Sequence, residues 1–143
     1  MEHFDHITND LQKFIEKQKI FFVGTATSDG LINISPKGLE SLKVIDKNRI
    51  LWMNLTGSGN ESAAHTQENP RMTLMFTSFD KKPLILRVYG EVKTIHRLDK
   101  DWDILSSYFP PSDASRQIFD LSISLVQTSC GYAVPFYDFK VVM

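Results

Sequence analysis

A single cysteine, Cys130, occurs in the 143 residues, so no internal disulfide can form and a reducing compartment is expected. No apolar run approaches the roughly 18 residues that a membrane span requires. The opening Met1-Glu2-His3-Phe4-Asp5-His6 carries acids where a secretion signal has a basic start and an apolar stretch. These absences point to a soluble, cytoplasmic protein. Neither charge is in excess: 16 Lys+Arg against 17 Asp+Glu leave a formal charge of -1. No global field would draw in nucleic acid or an anionic membrane, and any bound anion must be held by local groups. His3 and His6 have no cysteine or third histidine nearby, so no metal site is expected. Repeats and low-complexity tracts are also missing. A hydrophobic content of 42% over this length suits one domain, residues 1–143, with a substantial core.

What is present is mostly strand-like. Ile7, Leu11, Phe14 and Ile15 recur at helical spacing after Thr8, a good cap, and predict an amphipathic helix over about 9–18. Ile20 to Thr27 and Leu31 to Ser35 flank Ser28-Asp29-Gly30, a tight-turn signal, and read as a hairpin. Leu42 to Asp46 with Arg49 to Asn54, and Arg71 to Phe79 with Leu84 to Ile95, read as two more. Three successive hairpins predict an antiparallel meander. Ser58-Gly59-Asn60-Glu61 has the form of a capping box, and Asn69-Pro70 is a stop, so a short helix is expected over 59–68. Leu98 to Tyr108 reads as helix, Ser112 as the cap of another turn reaching about Phe119, and Asp120 to Ser129 as a last strand with Leu121, Ile123 and Leu125 on one face. Seven strands with a few short helices predict a mainly β, antiparallel barrel.

Two stretches carry chemistry. In Asn33-Ile34-Ser35-Pro36-Lys37-Gly38 a lysine ends a strand between a proline and a glycine, which suits a point charge aimed at a phosphate. Leu51-Trp52-Met53-Asn54-Leu55 then exits into Thr56-Gly57-Ser58-Gly59-Asn60-Glu61-Ser62, a loop of hydroxyl, amide and glycine residues opening into a helix. Glycines let backbone N–H groups approach a ligand, and a helix N-terminus presents unpaired N–H groups to an anion. Trp52 and Met53 offer a flat, polarizable surface. A phosphorylated planar cofactor would fit. Each residue also has a plainer reading: Lys37 as a loop lysine, Trp52 and Met53 as core, Ser58 and Glu61 as a helix cap, His65 as a packing residue, Arg87 as a solvent-face residue.

The order and spacing of five segments resemble the pyridoxamine 5'-phosphate oxidase-like proteins, FMN-binding split barrels. They are Ile34-Ser35-Pro36-Lys37-Gly38, Leu55 to Ser62, Glu68-Asn69-Pro70-Arg71, Leu86-Arg87-Val88-Tyr89-Gly90 and Cys130-Gly131-Tyr132-Ala133-Val134-Pro135-Phe136. The resemblance covers about residues 20–136. It implies FMN as cofactor, with Lys37 on its phosphate and Asn33, Ile34 and Ser35 along the flavin. Trp52, Met53 and the loop residues Thr56, Ser58, Asn60 and Ser62 complete the site. It also implies a homodimer with flavin at the subunit interface, where Tyr132 and Phe136 stack near the ring.

Two departures from the oxidase pattern follow from the same comparison. A basic pair that grips phosphate in the oxidase is replaced here by Glu61 and Ser62, and no arginine follows Arg116 to hold a substrate phosphate. The expectation is an FMN-dependent oxidoreductase acting on a small molecule other than a vitamin B6 phosphate, with no catalytic acid or base assigned. A flavin carrier or sensor without turnover, or one using haem or a deazaflavin, is the alternative. A nucleic-acid-binding barrel is disfavoured by the balanced charge.

Overall fold

The computed structural model describes residues 1–38, 40–57 and 60–142. Its elements run β1 (Glu2–Phe4), α1 (Asn9–Lys17), β2 (Phe21–Thr25), β3 (Asn33–Lys37), β4 (Leu42–Asp46), β5 (Arg49–Leu55), α2 (Glu61–Glu68), β6 (Arg71–Thr77), β7 (Ile85–His96), α3 (Trp102–Ser106) and β8 (Ser115–Ser129). All strand pairs are antiparallel, in the order β3-β2-β6-β7-β8-β5-β4, with β1 added alongside β8. The mainly β, antiparallel expectation holds. Among the described residues no helix is long and apolar enough to cross a membrane.

The three hairpins form, but they do not make a meander. β2–β3 lies at one end of the sheet order and β4–β5 at the other, with β6, β7 and β8 between. The cause is visible in β5, where Ile50, Leu51, Trp52 and Met53 are all buried. A strand apolar on both faces needs cover on both. Ile50 and Trp52 join the main core, while Leu51 and Met53 join a second cluster with Leu105, Phe109 and Ile118. Pairing β5 with β8 satisfies both sides.

The sheet must also coil. Lys37 and Leu42 are five residues apart, a reach of about 18 Å at most. Seven strands laid flat would put β3 and β4 about 29 Å apart. Because these two end strands are not paired with each other in the sheet, the curl leaves a split beside β3.

Several local expectations are corrected. β1 was not foreseen, being only three residues long and held by pairing Glu2, His3 and Phe4 with Thr128, Gln127 and Val126. The helix expected from Leu98 starts at Trp102, because the Asp99 carboxylate accepts the His96 N–H at 2.8 Å and closes a turn first. Ser112 caps only a turn, accepting from the Ala114 N–H at 3.1 Å, and β8 begins at Ser115 where more helix was expected. In β8 the alternation breaks: Tyr89 pairs with Leu125 but Gly90 with Ile123. This bulge leaves Leu121 buried and turns Leu125 outward.

α1 keeps its expected place, with Thr8 Oγ1 accepting from the Leu11 N–H at 3.2 Å and Leu11 and Ile15 buried. The main core centres on Trp52, whose ring stacks on Phe119 at 4.5 Å between centroids and meets the edge of Phe21 at 6.2 Å.

Candidate functional site

β3 is an end strand, and its alternation decides what faces the split. Asn33, Ser35 and Lys37 are half-buried and pair with Thr25, Val23 and Phe21, all inward-facing core positions of β2. Ile34 and Pro36 point the other way, and Ile34 is 69% exposed. Lys37 Nζ sits 5.6 Å from the centre of the Trp52 ring, within cation–π range. Trp52 itself is wholly buried, its Nε1–H donating to Met72 Sδ at 3.1 Å. Its side chain therefore belongs to the core and serves the split only through the face it turns to Lys37. Met53 is buried too, and its backbone N–H donates to the Ser41 carbonyl at 2.7 Å, tying β5 to the segment that follows Lys37.

α2 runs past the end of β2 in the same sense. Its C-terminal end meets the hairpin tip through Ser28 Oγ to Glu68 Oε1 at 3.1 Å and Asn69 Nδ2 to the Ala26 carbonyl at 3.1 Å. Its first turn meets Thr25, whose Oγ1 lies 3.3 Å from Ser62 Oγ and 3.0 Å from His65 Nδ1. The helix N-terminus therefore lies on the Thr25 side of these contacts, away from the hairpin tip. Asn60 is the N-cap residue but its side chain does not cap; its Oδ1 instead accepts from Asn54 Nδ2 at 3.4 Å. Asn54 also donates to Gln117 Oε1 at 2.9 Å.

Ser35 Oγ and Ser41 Oγ are buried and have no hydrogen-bond partner among the described residues. A buried hydroxyl left without a partner costs about 1–3 kcal/mol. A helix N-terminus that the Asn60 side chain does not cap, an orphan hydroxyl and a lysine are the kinds of donor a phosphate monoester accepts from. The donor set fits a phosphorylated ligand. Glu61 in the first turn of α2 opposes it by charge.

The expected residues are not all gathered there. Asn33, Ser35 and Lys37 share the inward side of β3, Ser62 meets it only through Thr25, the register partner of Asn33, and Asn60 lines a separate cavity with Arg116 and Gln117. Thr56 is exposed at its rim and donates its hydroxyl to the Ala114 carbonyl at 3.1 Å, so it offers no free proton. Ser58, and with it the expected capping box, lies outside the described residues. Tyr132 and Phe136 are 89% and 67% exposed and do not line the cavities that hold Lys37 and Asn60. Thr25 and the tail residues Tyr137 and Phe139 were missed. Thr25 is betrayed only by its register opposite Asn33. The tail shares a cavity of about 600 Å³ with Pro36, Lys37, Lys19 and Phe79.

On the other face of β3, a groove of about 710 Å³ runs across β2, β3, β6 and β7, lined by Phe22, Ile32, Ile34, Met75, Arg87 and Tyr89 among others. Arg87, for which the sequence allows either a solvent-face residue or an inward charge near a ligand, lines this groove and donates to Ser129 Oγ at 3.3 Å. Leu31 and Ile32 at the hairpin end are 90% and 74% exposed.

Comparison with known proteins places this geometry among relatives. The family model described as pyridoxamine 5'-phosphate oxidase matches residues 7–130. The pyridoxamine 5'-phosphate oxidase family protein ustO of Aspergillus flavus is 34% identical over 143 residues, 96% of this chain and 57% of that protein. The chain thus spans little more than half the length of this curated relative. Among solved structures, HupZ of Group A Streptococcus superposes with a TM-score of 0.65 at 14% identity, over 92% of this chain and 99% of that one. An FMN-binding protein of Syntrophomonas wolfei gives 0.63 at 15% identity, over 82% of each. At these identities the structural likeness establishes the fold, a split barrel.

Proposed function

The chain belongs to the pyridoxamine 5'-phosphate oxidase family, and from that premise we propose that it binds FMN in the split beside β3 and acts as a flavin-dependent oxidoreductase on a small molecule. The observation that carries this reading is the inward side of β3, where the Ser35 hydroxyl is buried without a partner among the described residues and Lys37 is half-buried. In this assignment Lys37, Ser62 and the first-turn N–H groups of α2 hold the phosphate, and the inward edge of β3 from Asn33 to Ser35 lies along the ring. Bound flavin would supply the hydride chemistry; the protein supplies grip, orientation and access. The cavity between Lys37 and the tail aromatics Tyr137 and Phe139 is room for the second reactant.

A homodimer completes the proposal. The outward face of β3, with Leu31, Ile32 and Ile34 exposed beside an apolar-lined groove, is the surface this proposal assigns to the second copy. Exposed Tyr132 and Phe136 would then reach the flavin of the other subunit.

Purified protein should be yellow or should take up added FMN, read by visible absorbance and quenching of flavin fluorescence. Colourless protein that ignores FMN would remove the proposal. Reduction of the bound flavin by NADH or NADPH, with reoxidation by an acceptor faster than free FMN allows, supports turnover. Binding without such cycling would make the protein a flavin carrier or sensor.

A further inference from the structure

Ser62 stands where the oxidase pattern has a basic residue, and a serine hydroxyl helps an anion only if its proton points outward. The contacts of Thr25 decide that. Thr25 Oγ1 is 96% buried with its residue and touches both Ser62 Oγ at 3.3 Å and His65 Nδ1 at 3.0 Å. A hydroxyl has one proton, so it can donate to only one of these neighbours, and accepting from both would leave the buried Thr25 proton without an acceptor, so it accepts from the other. Two arrangements satisfy the geometry. In the first, His65 Nδ1–H donates to Thr25, Thr25 donates to Ser62, and the Ser62 proton is free for a ligand. In the second, Ser62 donates to Thr25, Thr25 donates to a bare Nδ1, and Ser62 presents only lone pairs, which repel an anion.

We infer that His65 is a positioning residue: acting through Thr25, it orients the Ser62 hydroxyl as a donor to an anion at the α2 N-terminus. Ligand binding and the imidazole tautomer are thereby coupled. The inference rests on the reading of this cleft as a phosphate site. It explains how a neutral side chain serves where a cation would otherwise be used. It also gives His65, on the third residue after Ser62 and so on the same helix face, a function beyond packing.

The test compares FMN with riboflavin, which lacks the phosphate, on the full chain. Wild-type protein should bind FMN more tightly than riboflavin. His65→Ala should lose about five- to tenfold in FMN affinity with riboflavin affinity unchanged. His65→Asn places an amide N–H near the Nδ1 position and should recover most of the loss. In ¹⁵N NMR at alkaline pH, added FMN, and inorganic phosphate at higher concentration, should shift the His65 ring toward the Nδ1–H form, while riboflavin should not. If His65→Ala loses both flavins equally, or if the wild-type ring does not respond to FMN, the relay is wrong although the phosphate site stands. If wild-type protein binds both flavins alike, the phosphate site fails and the relay with it.

Discussion

Replacing Gly90 by alanine tests the reasoning that ties sequence to the coil of the sheet. Gly90 sits in β7 at the bulge against β8, and a Cβ there would overlap the Ser122 carbonyl oxygen, with the Ser122 carbonyl carbon 2.9 Å and Leu121 Cδ1 3.0 Å away. Carbon atoms rest about 3.5–4.0 Å apart, so the strands must part by more than half an ångström in the packed centre of the sheet. Leu121 is wholly buried and has nowhere to move. Overpacking of this kind costs about 1–3 kcal/mol, and a weakened ladder hydrogen bond adds about 0.5–1.5 kcal/mol. Loss of glycine's freedom in the unfolded chain returns about 0.4–1 kcal/mol. The balance centres on about 2–3 kcal/mol of destabilisation, or roughly 6–9 °C in melting temperature for a chain of this size. Urea unfolding at one fixed protein concentration measures it, because self-association would otherwise shift the midpoint. Gly24→Ala is the control: its Cβ meets Thr73 only at 3.9 Å, an ordinary contact, so the variant should match or slightly exceed the parent. Equal stability of the Gly90 variant and the parent would refute the account of the bulge.

Lys37→Ala should weaken FMN binding about tenfold to hundredfold if the ammonium makes a charge-assisted bond to phosphate; an unchanged fluorescence titration would return Lys37 to a purely structural role over Trp52. Ile34→Glu places a charge on the outward face of β3 and should shift a dimer toward monomer in sedimentation velocity, with little effect on folding because the side chain is 69% exposed. A dimer of unaltered strength would locate the interface elsewhere. The Asp5 carboxyl is held below the ordinary carboxylate range by its hydrogen bond with His6 at 2.6 Å, and secondarily by the imidazole charge. A depressed folded value means its small stabilising effect is present at neutral pH and fades as the pH falls through that value. His6→Ala should return the Asp5 titration, followed by carboxyl ¹³C NMR, to the ordinary range; no change would show that the contact does not form.

The strands were legible where turn chemistry and alternation agreed, as in β2 to β5, because local steric preferences act within a few residues. The region after Arg97 was less so. There the Asp99 carboxylate captures a backbone N–H, and Ile118 and Phe119, read as the end of a helical turn, are claimed by β5 instead. No local rule contains that competition. The site shows the same division. Lys37 and the loop before α2 stand out by residue type and spacing, whereas Thr25 looks like any strand threonine until the β2–β3 register and the direction of α2 bring it to Ser62 and His65.

Sequence alone determined that the chain is mainly antiparallel β, that any bound anion would have to be held by local groups, and that a lysine and a small-residue loop are the places to look. Those facts follow from composition and from side-chain periodicity, both of which are properties of short stretches. Tertiary structure decided which hairpin lies at which end of the sheet, that Trp52 is core, that Thr56 has spent its proton, and that Thr25 meets Ser62 and His65 of α2. These depend on burying both faces of β5 and on curling the sheet until β3 and β4 come near each other, long-range conditions that no single segment records.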